Sequence, residues 1–217
     1  MPSGTVFIVD DDPAVRESVA ALAEIRGVKV RAFPSAEAFL SAFDPRESGC
    51  LVTDIRMEPG MSGIQLQSTL RQRGIDIPVI VISAYANVSN AVQAMHEGAV
   101  TLLEKGCSSE QLWSAISTGL ERDEANRQKR RNHVEMLSRF RELTAEEVHV
   151  MERIVEGALN KVIARDMGLS LRTVEGRRAS VLKKVGAASV PELVRQYVEI
   201  ETVYGRRPSE LLLEPQP

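Results

Sequence analysis

The sequence predicts an α/β fold, a five-stranded doubly wound parallel sheet, followed by a helical linker and an all-α four-helix domain. Three observations lead there. The first half alternates short apolar runs with amphipathic stretches five times, the pattern of repeated βα units. After about residue 108 nothing reads as a strand, and short helices follow one another. The charge also divides: residues 1–120 hold fourteen Asp and Glu against nine Lys and Arg, whereas 161–184 hold seven basic residues against Asp166 and Glu175. An acidic front and a basic patch near the back point to two domains with different partners.

Taken in order, residues 5–10 form a continuous apolar run, as expected of a strand buried on both faces, and end in Asp10, Asp11 and Asp12. Pro13 can open a helix, and Val15, Val19 and Leu22 follow at helical spacing until Gly27. Residues 28–33 alternate as a strand, and Ser35 is placed to cap a helix holding Phe39 and Phe43. The run 50–54 delivers Asp54 to a third strand end, ahead of a loop with Glu58-Pro59-Gly60. A helix through Ile64, Leu66 and Leu70 stops at Gly74. Residues 78–83 give a fourth buried strand ending at Ser83, then a helix from about Asn87 to Glu97. Residues 101–104 make the fifth strand, ahead of Lys105. A helix opening at Ser108-Ser109 buries Leu112, Ile116 and Leu120.

In doubly wound sheets the working groups lie beyond the carboxyl ends of the strands. Those ends carry Asp10, Asp11, Asp54, Ser83 and Lys105: acids, a hydroxyl and an ammonium, all able to serve one phosphoryl group. Carboxylates brought that close cannot all stay ionised unless a cation joins them or one takes up a proton. Oxygen-only ligands with open positions suit Mg²⁺. No Gly-x-Gly-x-x-Gly follows the first strand and no Walker-type Gly-Lys-Ser/Thr is present, which argues against a dinucleotide or P-loop site. Cys50 and Cys107 are too few and too isolated for a disulfide framework or a zinc knuckle, and read as reduced core residues. No apolar run approaches the ~20 residues of a membrane helix, and the first residues do not resemble a signal sequence. A soluble, cytoplasmic protein with no membrane partner is expected.

Residues 121–131 contain good helix formers and charge pairs but no apolar face, and read as a solvated helical linker. Beyond it, Thr144 and Glu147 form a capping box with Leu143 and Val148 as a hydrophobic staple. Asn160 is placed to cap a short helix, Gly168 to make a turn, and Ser170 to open a third helix. That helix buries Val174, Val181, Leu182 and Val185 and turns Thr173, Arg177, Ser180 and Lys184 outward, a helix-turn-helix pattern. A fourth helix starts after Ser189. The boundaries expected are 1–120, a linker at 121–142, 143–204, and a flexible tail at 205–217.

These residues resemble a known family. Val-Asp10-Asp11-Asp12, Leu-Val-Thr-Asp54-Ile-Arg-Met57, Ile-Ser83-Ala and Glu-Lys105 look like a response-regulator receiver. Leu143-Thr144, Gly157-x-x-Asn160-Lys161-x-Ile163-Ala164, Leu171-x-Thr173-Val174-Glu175 and Lys184-Val185 resemble the LuxR-type helix-turn-helix. Their order resembles the FixJ/NarL group of two-component regulators. The resemblance implies a flavodoxin-like receiver in which Asp54 is the phosphoacceptor, with Mg²⁺ held by Asp10, Asp11, Asp54 and the backbone carbonyl of Arg56. Ser83 and Lys105 would contact the phosphoryl oxygens. It implies a sensor histidine kinase, double-stranded promoter DNA and a homodimer as partners. In the second domain it places base contacts at Glu175, Gly176 and Ala179, and backbone contacts at Lys161, Arg172, Thr173, Lys183 and Lys184. Arg177 and Arg178 are natural donors to guanine or phosphate. Neutralising roughly five phosphates would give a log–log salt slope of about −4 or −5.

The sequence also departs from that family. Nine positions separate Asp54 from Gly63 where the family has eight, Gly106 replaces a proline after the lysine, and Leu102 replaces the switching aromatic. Tyr85 is the aromatic available as a substitute. Arg177 stands at a position where the family commonly has His, and Glu146 where it often has Arg. Two alternatives follow: a phosphate-independent regulator whose receiver only dimerises, and a metal-dependent phosphohydrolase. The second would need an acid two residues after Asp54, where Arg56 stands, so an enzyme is not expected.

Overall fold

Continuous apolar runs bury the strands at 5–9, 49–54 and 79–83 on both faces, whereas those at 29–33 and 101–104 are partly exposed, as edge strands are. The computed structural model describes residues 4–84 and 88–212, with the backbone alone for 88–90. Strands β1 (Thr5–Val9), β2 (Lys29–Phe33), β3 (Gly49–Asp54), β4 (Val79–Ser83) and β5 (Thr101–Glu104) form one parallel sheet in the order β2-β1-β3-β4-β5. Helices α1 (Pro13–Ile25), α2 (Ala36–Ala42), α3 (Gly63–Gln72), α4 (Val88–His96) and α5 (Ser109–Phe140) alternate with them. Asn87 and Tyr85 lie outside the described residues, as do Pro215 and Pro217 in the expected tail.

Side chains alternate across the pleat, so each strand feeds two cores. Phe7, Val9, Leu51, Val79 and Val81 pack with Phe39, Leu66 and Leu70 on one face. Val6, Ile8, Val52, Ile80 and Ile82 pack with Val19, Ile116 and Leu120 on the other. Cys50 belongs to this second core, and α5 comes so close there that a Cβ on Gly119 would lie 3.0 Å from the Cys50 Cβ. Register brings the strand ends level: Val9 pairs with Thr53, Asp54 with Ile82, and Ser83 with Glu104.

The chain divides into two units between Arg127 and Gln128, within α5. The stretch expected as a solvated linker differs from that reading in two places. Asp123 is buried, accepting hydrogen bonds from the Ser48 hydroxyl at 2.9 Å, the Gly49 amide at 2.8 Å and Arg127 Nε at 2.8 Å. Leu137 and Phe140, at the far end of α5, are buried in the core of the second unit. A search for apolar periodicity passes over both, one because it is a charge and the other because it begins after a polar run.

The second unit is helical: α6 (Ala145–Val155), α7 (Asn160–Asp166), α8 (Leu171–Val185), α9 (Val190–Tyr204) and α10 (Pro208–Leu212). Thr144 and Glu147 close the expected capping box, and Leu143 and Val148 are both buried. Asn160 does not cap α7; Leu159 takes the N-cap position without a side-chain bond, and the Asn160 side chain accepts from Arg178 instead. The flexible tail expected from residue 205 is ordered through Leu212. Pro208 and Ser209 are buried in α10, and Leu211 and Leu212 pack on the second core. Among the described residues no helix is long and apolar enough to cross a membrane.

Candidate functional site

Level strand ends deliver the acids to one point. One oxygen from each of Asp10, Asp11 and Asp54 lies within 4.8 Å of the others, the donor set of a hard divalent cation. Asp10 is fully buried, Asp54 is 6 % exposed, and Asp11 faces solvent. Lys105 Nζ lies 2.6 Å from Asp54 Oδ2 and 3.0 Å from Asp10 Oδ2. The second approach is out of hydrogen-bond alignment, so Asp10 Oδ2 is buried with an ammonium beside it but no hydrogen bond, which leaves its lone pairs open to a metal ion. The donor set therefore fits Mg²⁺.

Burial raises the Asp10 pKa, and this outweighs the opposing effect of the Lys105 ammonium and the Asp12 amide that donates to Oδ1 at 2.9 Å. Burial on its own would lower the Lys105 pKa. The two carboxylates outweigh it and hold the ammonium charged above its ordinary value. Ser83 is buried at the end of β4, and its carbonyl accepts from the Lys105 amide at 2.8 Å, which ties the two residues to one corner. The Arg56 amide lies 3.3 Å from Asp54 Oδ1.

Two positioning residues escaped sequence reasoning. Arg16 Nη1 donates to the carbonyls of Asp10 at 2.7 Å and Asp11 at 3.0 Å, clamping the loop that carries both acids. A basic residue near the start of a helix opposes the dipole rule, and that conflict was the available signal. Glu37 accepts from the Met61 amide at 2.8 Å, pinning the lengthened loop after Asp54. That amide bond is the main cause holding its pKa below the ordinary value. The loop then returns to Gly63, where an added Cβ would stand 2.0 Å from the Asp54 carbonyl oxygen, so only glycine fits.

The departures from the family pattern also have physical content. Leu102 is partly buried against the core containing Val81, its partner in the β4–β5 register. Gly106 has φ +101, a conformation closed to proline, whose ring fixes φ near about −65°. Tyr85 lies outside the described residues.

In the second unit α8 presents Arg172, Thr173, Glu175, Gly176, Ala179 and Lys183 to solvent, and Lys161 is exposed on α7. No hydrogen bond or ion pair engages Lys161, Arg172 or Lys183 among the described residues. The Thr173 hydroxyl sits 2.7 Å from the Ser170 hydroxyl. The flank of α8 that faces α6 is different. Lys184 Nζ donates to Glu147 Oε2 at 2.7 Å and the Glu142 carbonyl at 3.0 Å, while the Ser180 hydroxyl donates to Glu147 Oε1 at 2.6 Å. Burial works against the Glu147 carboxylate, yet these donors and the Thr144 amide carry its pKa down to about 2. Arg177 pairs with Glu146. Arg178 is half-buried and donates to Asn160 Oδ1 at 3.0 Å, keeping its charge unneutralised. Of the basic residues expected to meet an external ligand, Lys184 and Arg177 are thus already paired with carboxylates of α6.

Comparison with known proteins matches both units. Residues 6–117 fit the family described as response regulator receiver domain, and residues 141–197 the bacterial regulatory proteins of the luxR family. The transcriptional regulatory protein FixJ of Azorhizobium caulinodans is 44 % identical over 190 residues, covering 88 % of this chain and 90 % of that protein. The FixJ of Rhizobium meliloti is 40 % identical over 203 residues, covering 90 % and 95 %. Among solved structures, the response regulator StyR aligns with TM-score 0.78 at 36 % identity, covering 90 % of this chain and 98 % of that one. Full-length FixJ from B. japonicum aligns with TM-score 0.56 at 34 % identity, covering 93 % and 99 %. The two matched families and the FixJ transcriptional regulatory proteins are not enzyme families, which removes the phosphohydrolase alternative. Two matched modules in this order, over an acid cluster at aligned strand ends, place the chain in the response-regulator family, as a receiver domain followed by a luxR-type DNA-binding domain.

Proposed function

We propose that Asp54 accepts a phosphoryl group from a sensor histidine kinase and that the phosphorylated chain binds promoter DNA as a homodimer. The observation that carries this is the meeting of Asp10, Asp11 and Asp54 around one point with Lys105 against Asp54. Asp10, Asp11, Asp54 and the Arg56 carbonyl would hold Mg²⁺, which when bound neutralises charge on the transferring group. A carboxylate oxygen of Asp54 forms the new bond to phosphorus as the bond to the phosphohistidine nitrogen, or to the oxygen of a small acyl phosphate, breaks. Lys105 moves with the new charge, and the buried Ser83 hydroxyl offers a further donor. Acid-labile phosphate taken up from acetyl phosphate, and lost in Asp54→Asn, is the expected result; equal labelling of that variant overturns it.

On DNA, Lys161, Arg172, Arg178 and Lys183 carry positive charge not neutralised by a carboxylate. Four such contacts give a log–log salt slope of about −3.6 per domain, shallower than the sequence alone implies. Glu175, Gly176, Ala179 and Thr173 are exposed on α8 for base or backbone contact. One such domain buries too little for tight specific binding, so dimers on paired half-sites are expected.

A second reading, a phosphate-independent regulator whose receiver serves for dimerisation, is favoured by one observation. Leu102, an aliphatic residue partly buried against the core, stands where an aromatic switch would rotate. DNA affinity unchanged after complete phosphorylation of Asp54 selects this reading over the first.

A further inference from the structure

Arg177 lies on the half-buried flank of the helix that would enter the DNA groove, and its guanidinium is already paired with Glu146 on α6. The Arg177 side chain is 23 % exposed and that of Glu146 is 68 % exposed. The Arg177 stem is half-buried while its carboxylate partner stands open to solvent, and a pair with one exposed member is weak enough for a competing anion to displace. Among the described residues Glu146 makes no other hydrogen bond or ion pair, whereas its neighbour Glu147 is buried and holds Ser180 and Lys184. Two adjacent carboxylates thus do different work on one flank of α8. Glu147 fixes the helix, and Glu146 occupies a side chain whose planar fork suits guanine or phosphate.

We propose that Glu146 is a specificity-determining residue that competes with DNA for Arg177. The proposal rests on the DNA-binding reading of α8. Exchanging a carboxylate for a single backbone phosphate trades one anion for another, so random-sequence DNA gains little from Arg177. A base edge that takes both guanidinium nitrogens gains more, because it adds paired hydrogen bonds in fixed geometry. Glu146 therefore suppresses non-specific binding more than specific binding. It also keeps Arg177 out of the salt dependence on random DNA.

The test uses the full chain and two fluorescent duplexes, one of random sequence and one selected by the wild type from a random library. Fluorescence anisotropy is read across a salt series for wild type, Glu146→Gln, Arg177→Ala and the double variant. Glu146→Gln should bind the random duplex about fivefold tighter at 0.15 M salt, with a slope steeper by about 0.9, the contribution of one added phosphate contact. The selected duplex should gain less, so the specificity ratio falls. In the Arg177→Ala background the same substitution should change neither affinity nor slope. An unaltered slope in Glu146→Gln overturns the proposal. So does a gain that persists without Arg177, which marks a general charge effect. A wild type that binds neither duplex at low salt removes the DNA reading and the proposal together, whereas wild-type binding with no effect of Glu146→Gln removes the proposal alone.

Discussion

Lys105 Nζ sits 2.6 Å from Asp54 Oδ2 and 3.0 Å from Asp10 Oδ2, so the ammonium occupies the side of the acid cluster that a divalent cation would also neutralise. Replacing it with Gln leaves two buried carboxylates without their counter-charge. Lys105→Gln should therefore bind Mg²⁺ several-fold tighter than wild type, on the order of 1 kcal/mol for a partly screened charge. It should also melt lower without the ion. Calorimetric titration and thermal melts with and without Mg²⁺ check both; weaker Mg²⁺ binding would assign Lys105 a purely structural part.

Glu147 gives the second unit a defined acid sensitivity. Its folded pKa of about 2 lies below the ordinary 4.5, so its contribution is fully present above the unfolded value and is lost as pH falls through that interval. The contribution is at most about 3 kcal/mol. Denaturant unfolding followed from pH 5 to pH 2 should show this loss in wild type and a flatter profile in Glu147→Gln, which starts less stable at neutral pH.

Gly63 is held by contact and not by its φ angle. A Cβ there would lie 2.0 Å from the Asp54 carbonyl, so Gly63→Ala must push the start of α3 away from the end of β3. A cost of about 2 kcal/mol or more is expected, as for an overpacked core site. Phosphoryl acceptance at Asp54 should fall with it. Normal labelling together with a normal melting temperature would show that the backbone relaxes without loss.

Asp123→Ala removes a buried acceptor from the Ser48 hydroxyl, the Gly49 amide and Arg127, leaving Arg127 bonded only to the Arg46 and Glu47 carbonyls. Breaking one partner of a buried charged network costs about 3 kcal/mol. The receiver transition should move down by that amount while the second unit's transition stays in place. A change smaller than about 0.5 kcal/mol, the scale of an ordinary surface substitution, would return Asp123 to the solvated face its neighbours suggest.

The five βα units and the acid cluster were legible in the sequence because both rest on short apolar runs with a polar group at the end, whereas the order of the strands in the sheet is a finding of the structure. Asp10, Asp54, Ser83 and Lys105 each follow from being the residue at which such a run ends. What was not legible depends on contacts between distant segments. Nothing in the order of residues tells that Arg16 reaches back to two carbonyls, that Glu37 holds a loop more than twenty positions on, or that Asp123 meets the start of β3. The same limit explains Arg177 and Lys184. Helical spacing shows that they share the outer side of α8, but not that α6 brings Glu146 and Glu147 alongside them.

The Arg16 clamp bears on how the acidic corner meets its ligands. With its carbonyls tied down and the Asp12 amide fastened to Asp10, the loop after β1 is already immobilised before anything binds. Recognition there should cost little ordering of the chain, so affinity turns mainly on shedding hydration. Loosening the clamp would add a disorder penalty to every encounter while leaving each acidic group in place.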